Sequence, residues 1–207
     1  FDEADITYLL ALRKKLAPKI EKDGVKLTVT TLLLKAVAKT LIAHPIFNSS
    51  IDEATDELVY KKYVHLGVAV DSEAGLIVPV LKDADKKNVA VLSKELGDLA
   101  EKTRARKIAP DDLKGGTFTV SNLGGIGGTF FTPIVNLPEV AILGIGKGVV
   151  RAVVKTGADK TEKIVARTML PLCVSYDHRV IDGAAAARFI KTLVETIEGL
   201  TEKDLGL

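Results

Sequence analysis

Apolar residues recur at the three- and four-residue spacing of an amphipathic helix in four segments of the chain. In the first segment Ile6 and Leu9 begin this pattern, and lysine and arginine fill the positions between the apolar residues. Pro18 falls in the last turn of that segment, where its missing N–H weakens the prediction. His44 ends the second segment before a proline, and we interpret it as a C-terminal cap residue. The pattern predicts helices over residues 6–21, 30–43, 89–106 and 184–199.

Short runs rich in β-branched and aromatic residues predict strands between these helices. His65 falls inside one of them and is interpreted as structural. The stretch 48–57 is predicted to be a polar connection. The alternation of helices and strands predicts a layered α/β fold, although it does not separate a doubly wound sheet from other mixed sheets. The predicted strands are 58–60, 64–70, 76–80, one that ends at Ser121 and Asn122, 140–154 and 164–176.

Composition narrows the class of protein. A chain of 207 residues that is 47% hydrophobic and 27% charged is predicted to form one globular domain. Its net charge of +2, with bases and acids interleaved, argues against a nucleic-acid partner, and no segment approaches the ~20 apolar residues of a membrane span. Because Cys173 is the one cysteine, the chain cannot form an internal disulfide, and this favours a reducing compartment. We interpret Cys173 as a core residue. The chain begins at Phe1, so we expect it to be part of a longer protein.

The first candidate for chemistry is His178, which lies between an apolar strand and an alanine-rich helix. Its unperturbed pKa near neutrality suits a group that accepts and returns a proton. Asp182 follows four residues later, directly before Gly183. It could orient a base, hold a cation or cap the helix that begins there, and the local sequence leaves these roles open.

The second candidate region is the glycine-rich stretch 115–135, which contains the predicted strand end at Ser121. Glycines allow a backbone to approach a ligand closely. The stretch lacks the Lys-Ser/Thr pair of a phosphate-binding loop and the G-x-G-x-x-G spacing of a dinucleotide site, so a nucleotide site is not expected. An irregular turn is the alternative interpretation.

Together these motifs resemble those of the 2-oxo acid dehydrogenase acyltransferases. Residues 177–183 match the His-x-x-x-Asp-Gly signature of these dihydrolipoamide acyltransferase cores, which are related to chloramphenicol acetyltransferase, and the similarity continues through 184–189. Residues 131–136 (Phe-Thr-Pro-Ile-Val-Asn) and 138–144 (Pro-Glu-Val-Ala-Ile-Leu-Gly) match two further family motifs. The resemblance implies a mixed sheet packed against helices, as in chloramphenicol acetyltransferase, in a single catalytic domain over residues 1–207.

The resemblance also implies a reaction and a site. The family moves an acyl group between dihydrolipoamide and coenzyme A, and the loop sequence is most similar to that of acetyl-transferring members. His178 would be the base, Ser121 would donate a hydrogen bond to the oxyanion, and Asp182 would support the His178 loop or cap the helix. Acetyl-coenzyme A and a lipoyl group would be substrates, and no metal is expected.

The resemblance further implies an assembly. His178 of one subunit would face Ser121 of its neighbour in a homotrimer, and trimers would build a 24-subunit cubic or 60-subunit dodecahedral core. We expect the lipoyl domain, the domains that bind the E1 and E3 components, and the N-terminal arm to lie outside these residues. The bacterial cytoplasm is the favoured location over the mitochondrial matrix.

Three alternatives compete with this hypothesis. A cage-forming scaffold with a vestigial site would assemble without catalysis. A small-molecule acetyltransferase of the chloramphenicol type would share the histidine signature but is expected to lack the motifs of residues 131–144. A Ser-His-Asp hydrolase would need a G-x-S-x-G elbow, and the neighbours of Ser121 do not form one.

Overall fold

The computed structural model describes residues 1–21, 24–73, 75–157 and 160–207. Its helices are α1 Thr7–Ile20, α2 Val29–Ala43, α3 Val89–Arg104 and α4 Gly183–Glu198. Its strands are β1 Asp2–Asp5, β2 Ser49–Asp52, β3 Glu57–Tyr60, β4 Leu66–Val68, β5 Val70–Ser72, β6 Gly75–Ile77, β7 Val80–Leu81, β8 Phe118–Asn122, β9 Ala141–Ile145, β10 Val149–Thr156 and β11 Glu162–Tyr176. The four helical predictions are confirmed to within two residues at each end, and α1 continues through Pro18.

The central sheet is mixed, as predicted. Its strand order is β1-β11-β9-β8-β4-β7, and β10 also pairs with β11. Strands β4, β8 and β9 are parallel to one another, whereas β1, β9 and β10 each pair antiparallel with β11. The hairpins β2–β3 and β5–β6 lie outside this sheet.

The hydrophobic core lies between one face of this sheet and the helices. Helix α4 shows why the sequence folds this way, because its buried residues recur every three or four positions and form one apolar face. That face packs against α2, β1 and β11. At its centre the ring of Phe189 stacks on that of Phe47, with centroids 4.0 Å apart.

Two short strands, β1 and β2, do not follow from the sequence pattern. Residues 49–52, predicted as part of a polar connection, form β2 and pair with β3, and the connection prediction is wrong there. The acidic strand β1 buries only Ala4. The carboxylates of Glu3 and Asp5 instead meet basic side chains of β10 and β11, with Arg151 Nη1 donating to Glu3 at 2.9 Å. Such partners are distant in sequence, so local periodicity cannot reveal them.

The segment 64–70, which was predicted as one strand, contributes to two strands in the structure. It divides at Ala69 into β4 and β5, which join different sheets. His65 lies just before β4, and its Nδ1 accepts a hydrogen bond from the Asp83 backbone N–H at 3.0 Å, in agreement with a structural role. His44 is the C-cap residue of α2, as predicted. Among the described residues, no helix is long and apolar enough to cross a membrane.

Candidate active site

Ser121 lies near the end of β8, on the sheet face that points away from the core. Phe118 and Val120 belong to the hydrophobic core, so the strand's alternation turns Thr119 and Ser121 to the opposite face. Ser121 is 9% exposed and lies in register with Gly144 of β9. The hydroxyl group is therefore held on a central, parallel part of the sheet.

A loop over residues 123–138 covers this face. A side chain at Gly144 would collide with the ring of Phe131 at 2.9 Å, and one at Gly146 would collide with the carbonyl of Thr129. These two glycines therefore let the loop lie directly on β9. The motif residues 131–136 lie in this loop, which has no regular secondary structure.

His178 lies on a tight turn directly after β11 and is exposed. The backbone N–H of Asp177 donates to Val140 at 2.8 Å, and the Asp177 carbonyl accepts from the N–H groups of Val180 and Ile181 at 3.0 Å each. The side chain of Ile181 is fully buried. The turn is therefore fixed on both sides of His178, while the exposed imidazole contacts the ring of Tyr176, with centroids 5.7 Å apart.

Arg179 stabilises the same turn. Its guanidinium group donates to the carboxylate of Asp177 at 2.7–3.1 Å, and these hydrogen bonds hold the pKa of Asp177 below its usual value. A weaker ion pair joins Arg179 to Glu53 at 3.6 Å. These contacts give Arg179 a structural role.

Asp182 is the N-cap residue of α4. Its side chain accepts a hydrogen bond from the Ala185 backbone N–H at 2.6 Å, in the extended conformation that an N-cap requires. Of the roles that the sequence left open, this geometry supports the cap.

We expect Asp182→Ala to destabilise the protein by about 1 kcal/mol, the usual cost of losing an N-cap. Asp182→Asn is the matched control, because asparagine caps equally well without a charge. The urea midpoint should stay close to the parent value for the asparagine variant, while the alanine variant loses stability. A midpoint that falls equally in both variants would contradict the capping role.

The structure does not bring Ser121 and His178 together within one chain. Ser121 is in register with Gly144, and Gly144 with Cys173, so Tyr176 at the end of β11 lies about 14 Å from Ser121 by strand geometry. The turn that carries His178 starts beyond that point. Among the described contacts, none joins Ser121 to His178, so the two residues do not form one site within a single chain.

At the end of β8 a cleft of about 890 Å³ opens between α2, α3 and the start of the loop, lined by Asn122 rather than by Ser121. Asn122 forms part of its wall and donates to the Thr30 hydroxyl at 3.0 Å. The charged side chains around it are balanced, with three bases and three acids. They are Lys26, Lys94, Arg104, Asp71, Asp98 and Glu101. No ligand-binding residues were predictable from sequence motifs, and this cleft supplies candidates.

Glu139, to which no sequence motif gave a role, is only 4% exposed. Burial raises the pKa of its carboxyl group to about 7. A single acid inside the apolar run 137–145 was the available signal. Cys173 is buried as predicted, and burial raises the pKa of its thiol. The described residues contain no group of three or more His, Cys, Asp or Glu side chains that could hold a metal ion.

Comparison with protein families places these features in context. The model of the 2-oxoacid dehydrogenases acyltransferase catalytic domain matches residues 1–203. The dihydrolipoyllysine-residue acetyltransferase component of the pyruvate dehydrogenase complex of Pseudomonas aeruginosa is 51% identical over 197 residues. The aligned part covers 95% of this chain and 35% of that protein, so the chain spans about a third of the length of this relative.

Solved structures agree with the family match. The dihydrolipoamide acetyltransferase of Azotobacter vinelandii, solved to define the roles of a serine, a histidine and an asparagine in its mechanism, has a TM-score of 0.91 at 48% identity. The cubic core of a pyruvate dehydrogenase multienzyme complex gives the same values, and both matches cover 100% of this chain and 82% of theirs. A chloramphenicol acetyltransferase, 14% identical with a TM-score of 0.64, covers 95% of this chain and 86% of its own and shares the fold.

Proposed function

The chain belongs to the 2-oxoacid dehydrogenase acyltransferase family, and from this premise we propose that it transfers an acetyl group between a dihydrolipoyl thiol and coenzyme A. The observation that carries the proposal is the placement of two groups. A buried hydroxyl at Ser121 lies under a loop, and an exposed imidazole at His178 lies on a fixed turn. Acetyltransferases of pyruvate dehydrogenase complexes among the relatives support acetyl as the group transferred.

His178 is the proposed general base. A thiol with a pKa of ~8.5 is mostly protonated at neutral pH, and the thiolate is the nucleophile. His178 takes the proton from the coenzyme A thiol as its sulfur attacks the carbonyl carbon of the acetylated lipoyl thioester. When the bond between that carbon and the lipoyl sulfur breaks, His178 returns the proton to the lipoyl sulfur.

Ser121 is the proposed oxyanion donor. The new carbon–sulfur bond produces a tetrahedral intermediate whose oxygen carries a negative charge, and a fixed hydroxyl can donate a hydrogen bond to it. The protein needs no covalent acyl intermediate for this exchange. Asp182 holds the start of α4 and so supports the His178 turn without joining the proton transfer.

A trimer would complete the site. Loop 123–138 leaves four apolar side chains more than half exposed, and patches of this kind mark interaction surfaces. A second copy of the chain that covers them is the proposed source of the His178 that faces Ser121. The cubic core among the similar structures supports assembly of trimers into a larger core, and the bacterial relatives support a cytoplasmic location. The four side chains are Ile126, Phe130, Ile134 and Leu137.

We assign the cleft beside Asn122 to one of the two thiol substrates. It opens next to the Ser121 end of β8, and its volume of about 890 Å³ lies within the range of small-molecule sites. The lipoyl group would arrive on a separate domain, and the E1 and E3 components would bind through further domains of a longer protein.

Acetyl transfer from acetyl-coenzyme A to free dihydrolipoamide tests this function directly. We expect the purified chain to form acetyl-dihydrolipoamide and to leave chloramphenicol unmodified under the same conditions, with mass spectrometry detecting both products. Light scattering on the same sample reports the number of subunits. A folded, assembled protein without transfer would favour the scaffold, and acetylation of chloramphenicol alone would favour the small-molecule acetyltransferase.

A further inference from the structure

Glu139 is a buried acid at the end of the loop that covers Ser121. The loop begins directly after Asn122, which fixes its first residues by accepting from the Gly124 N–H at 2.9 Å. At its far end the Glu139 N–H donates to the Asn136 carbonyl at 3.0 Å, and Glu139 forms an isolated β-bridge with Ser50. The loop is therefore held at both ends, and Glu139 lies two residues before β9, where the chain re-enters the central sheet.

The carboxyl group of Glu139 lies against the strand that carries Ser121. Thr119, two residues before Ser121, and Asn136 contact this carboxyl group, and Asn136 Nδ2 also donates to the Thr119 hydroxyl at 3.4 Å. A side chain at Gly116 would meet Glu139 Oε1 at 2.7 Å, so the glycine makes room for the acid. Glu139 thus joins the loop to β8 through its side-chain contacts with Thr119 and Asn136.

The same segment also reaches the His178 turn. Val140, the next residue, accepts the hydrogen bond from the Asp177 N–H at 2.8 Å, and Asp177 directly precedes His178. A displacement of Glu139 would therefore disturb both groups that the proposed reaction uses.

No ion pair among the described residues involves Glu139. Its Oε2 is buried without a hydrogen-bond partner in the described structure. Glu139 is also one of the residues that line a cavity of about 590 Å³ between β2, the end of β3 and the His178 turn. Burial is the main cause of the raised pKa, and the contacts with Thr119 and Asn136 only partly offset it. The charged side chains that line the cavity are Asp52, Glu53, Lys61, Asp177 and Arg179.

We propose that Glu139 is a positioning residue, which anchors loop 123–138 onto β8 and thereby sets the position of the Ser121 hydroxyl. This inference rests on the proposed function for its catalytic consequence, whereas the anchoring itself can be tested separately.

Opening of the loop would release the carboxyl group into water, where its pKa returns to an ordinary value of 4.5. Below that value both states are neutral and pH has no effect. Between about pH 4.5 and 7 the open state ionises while the closed state does not, so closure weakens as pH rises, and above about 7 the effect is constant. From about pH 6 to about pH 8 the opening equilibrium should therefore increase roughly tenfold.

Amide hydrogen exchange of peptides from loop 123–138 tests the anchor, with Glu139→Gln as the isosteric variant that cannot ionise. We expect protection factors in the parent to fall roughly tenfold from about pH 6 to about pH 8 relative to those of the variant. Glu57→Gln, which removes an exposed carboxyl group from β3, is the matched control and should behave like the parent. Equal pH dependence in the parent and Glu139→Gln would overturn the proposal.

Kinetics test the positioning. Glu139→Ala should lower kcat by ~10- to 10²-fold with a smaller change in KM, because a small misplacement of a reacting group has an effect of this size. Glu139→Gln should restore kcat to within about threefold of the parent, since it keeps the shape and the contacts. A parent-like kcat and loop protection in Glu139→Ala would overturn the proposal. If Glu139→Ala does not fold, the hydrogen-exchange result for Glu139→Gln decides whether Glu139 anchors the loop. A parent protein without acetyl-transfer activity would contradict the proposed function but not the anchoring.

Discussion

Replacing His178 with alanine is expected to lower the rate of acetyl transfer by ~10²–10⁴-fold, the usual contribution of a general base. The imidazole is exposed, and its turn is held by the Asp177 backbone, the buried Ile181 and the Asp182 cap. Removal of the ring should therefore leave the fold intact. The loss should appear in kcat, because a base acts on the transition state and contributes little to substrate binding.

The matched control for this variant is His44→Ala. The His44 ring packs against Phe47 and Phe189, and its Nε2 is 2.9 Å from the Thr192 hydroxyl. We expect this control to lose thermal stability while it keeps its rate at temperatures where it is folded. A His178→Ala variant with parental activity would show that the base lies elsewhere and would remove the main support for the mechanism.

The sequence predicted the parts of the fold that depend on local periodicity. The buried face of α4 recurs every three or four residues, so its helix could be located from the residues alone. Ser121 and His178 could be proposed because each lies where an apolar strand ends. Asp182 could be recognised as one of the preferred capping residues, but only the contact with Ala185 separates the cap from the other roles.

Features that depend on distant partners could not be predicted in this way. Strand β1 is acidic and short, and it is stabilised by bases more than a hundred residues away, such as Arg151. Glu139 is buried because Gly116 leaves room for its carboxyl group and because loop 123–138 folds back and places this residue against β8. The separation of Ser121 from His178 follows from strand order, which local sequence patterns do not encode.

That separation leads to the second large expected effect. Ser121→Ala alone should lower the rate by ~10²–10³-fold, the usual cost of losing one oxyanion donor. When Ser121→Ala and His178→Ala subunits are produced together in one cell, some interfaces will join the intact serine of one subunit to the intact histidine of its neighbour. With random mixing each group is intact in half of the subunits, so about a quarter of the sites should be complete.

Coexpression should therefore raise the activity far above that of either variant alone, and measurement of kcat per subunit at several expression ratios would give the fraction of complete sites. Variants purified separately and mixed after assembly are the control, since assembled subunits that do not exchange form no mixed interfaces. If both groups acted within one chain, every mixed oligomer would still carry one defect in each site. The activity would then stay at the level of the single variants, and the strand register that separates Ser121 from His178 would need another explanation.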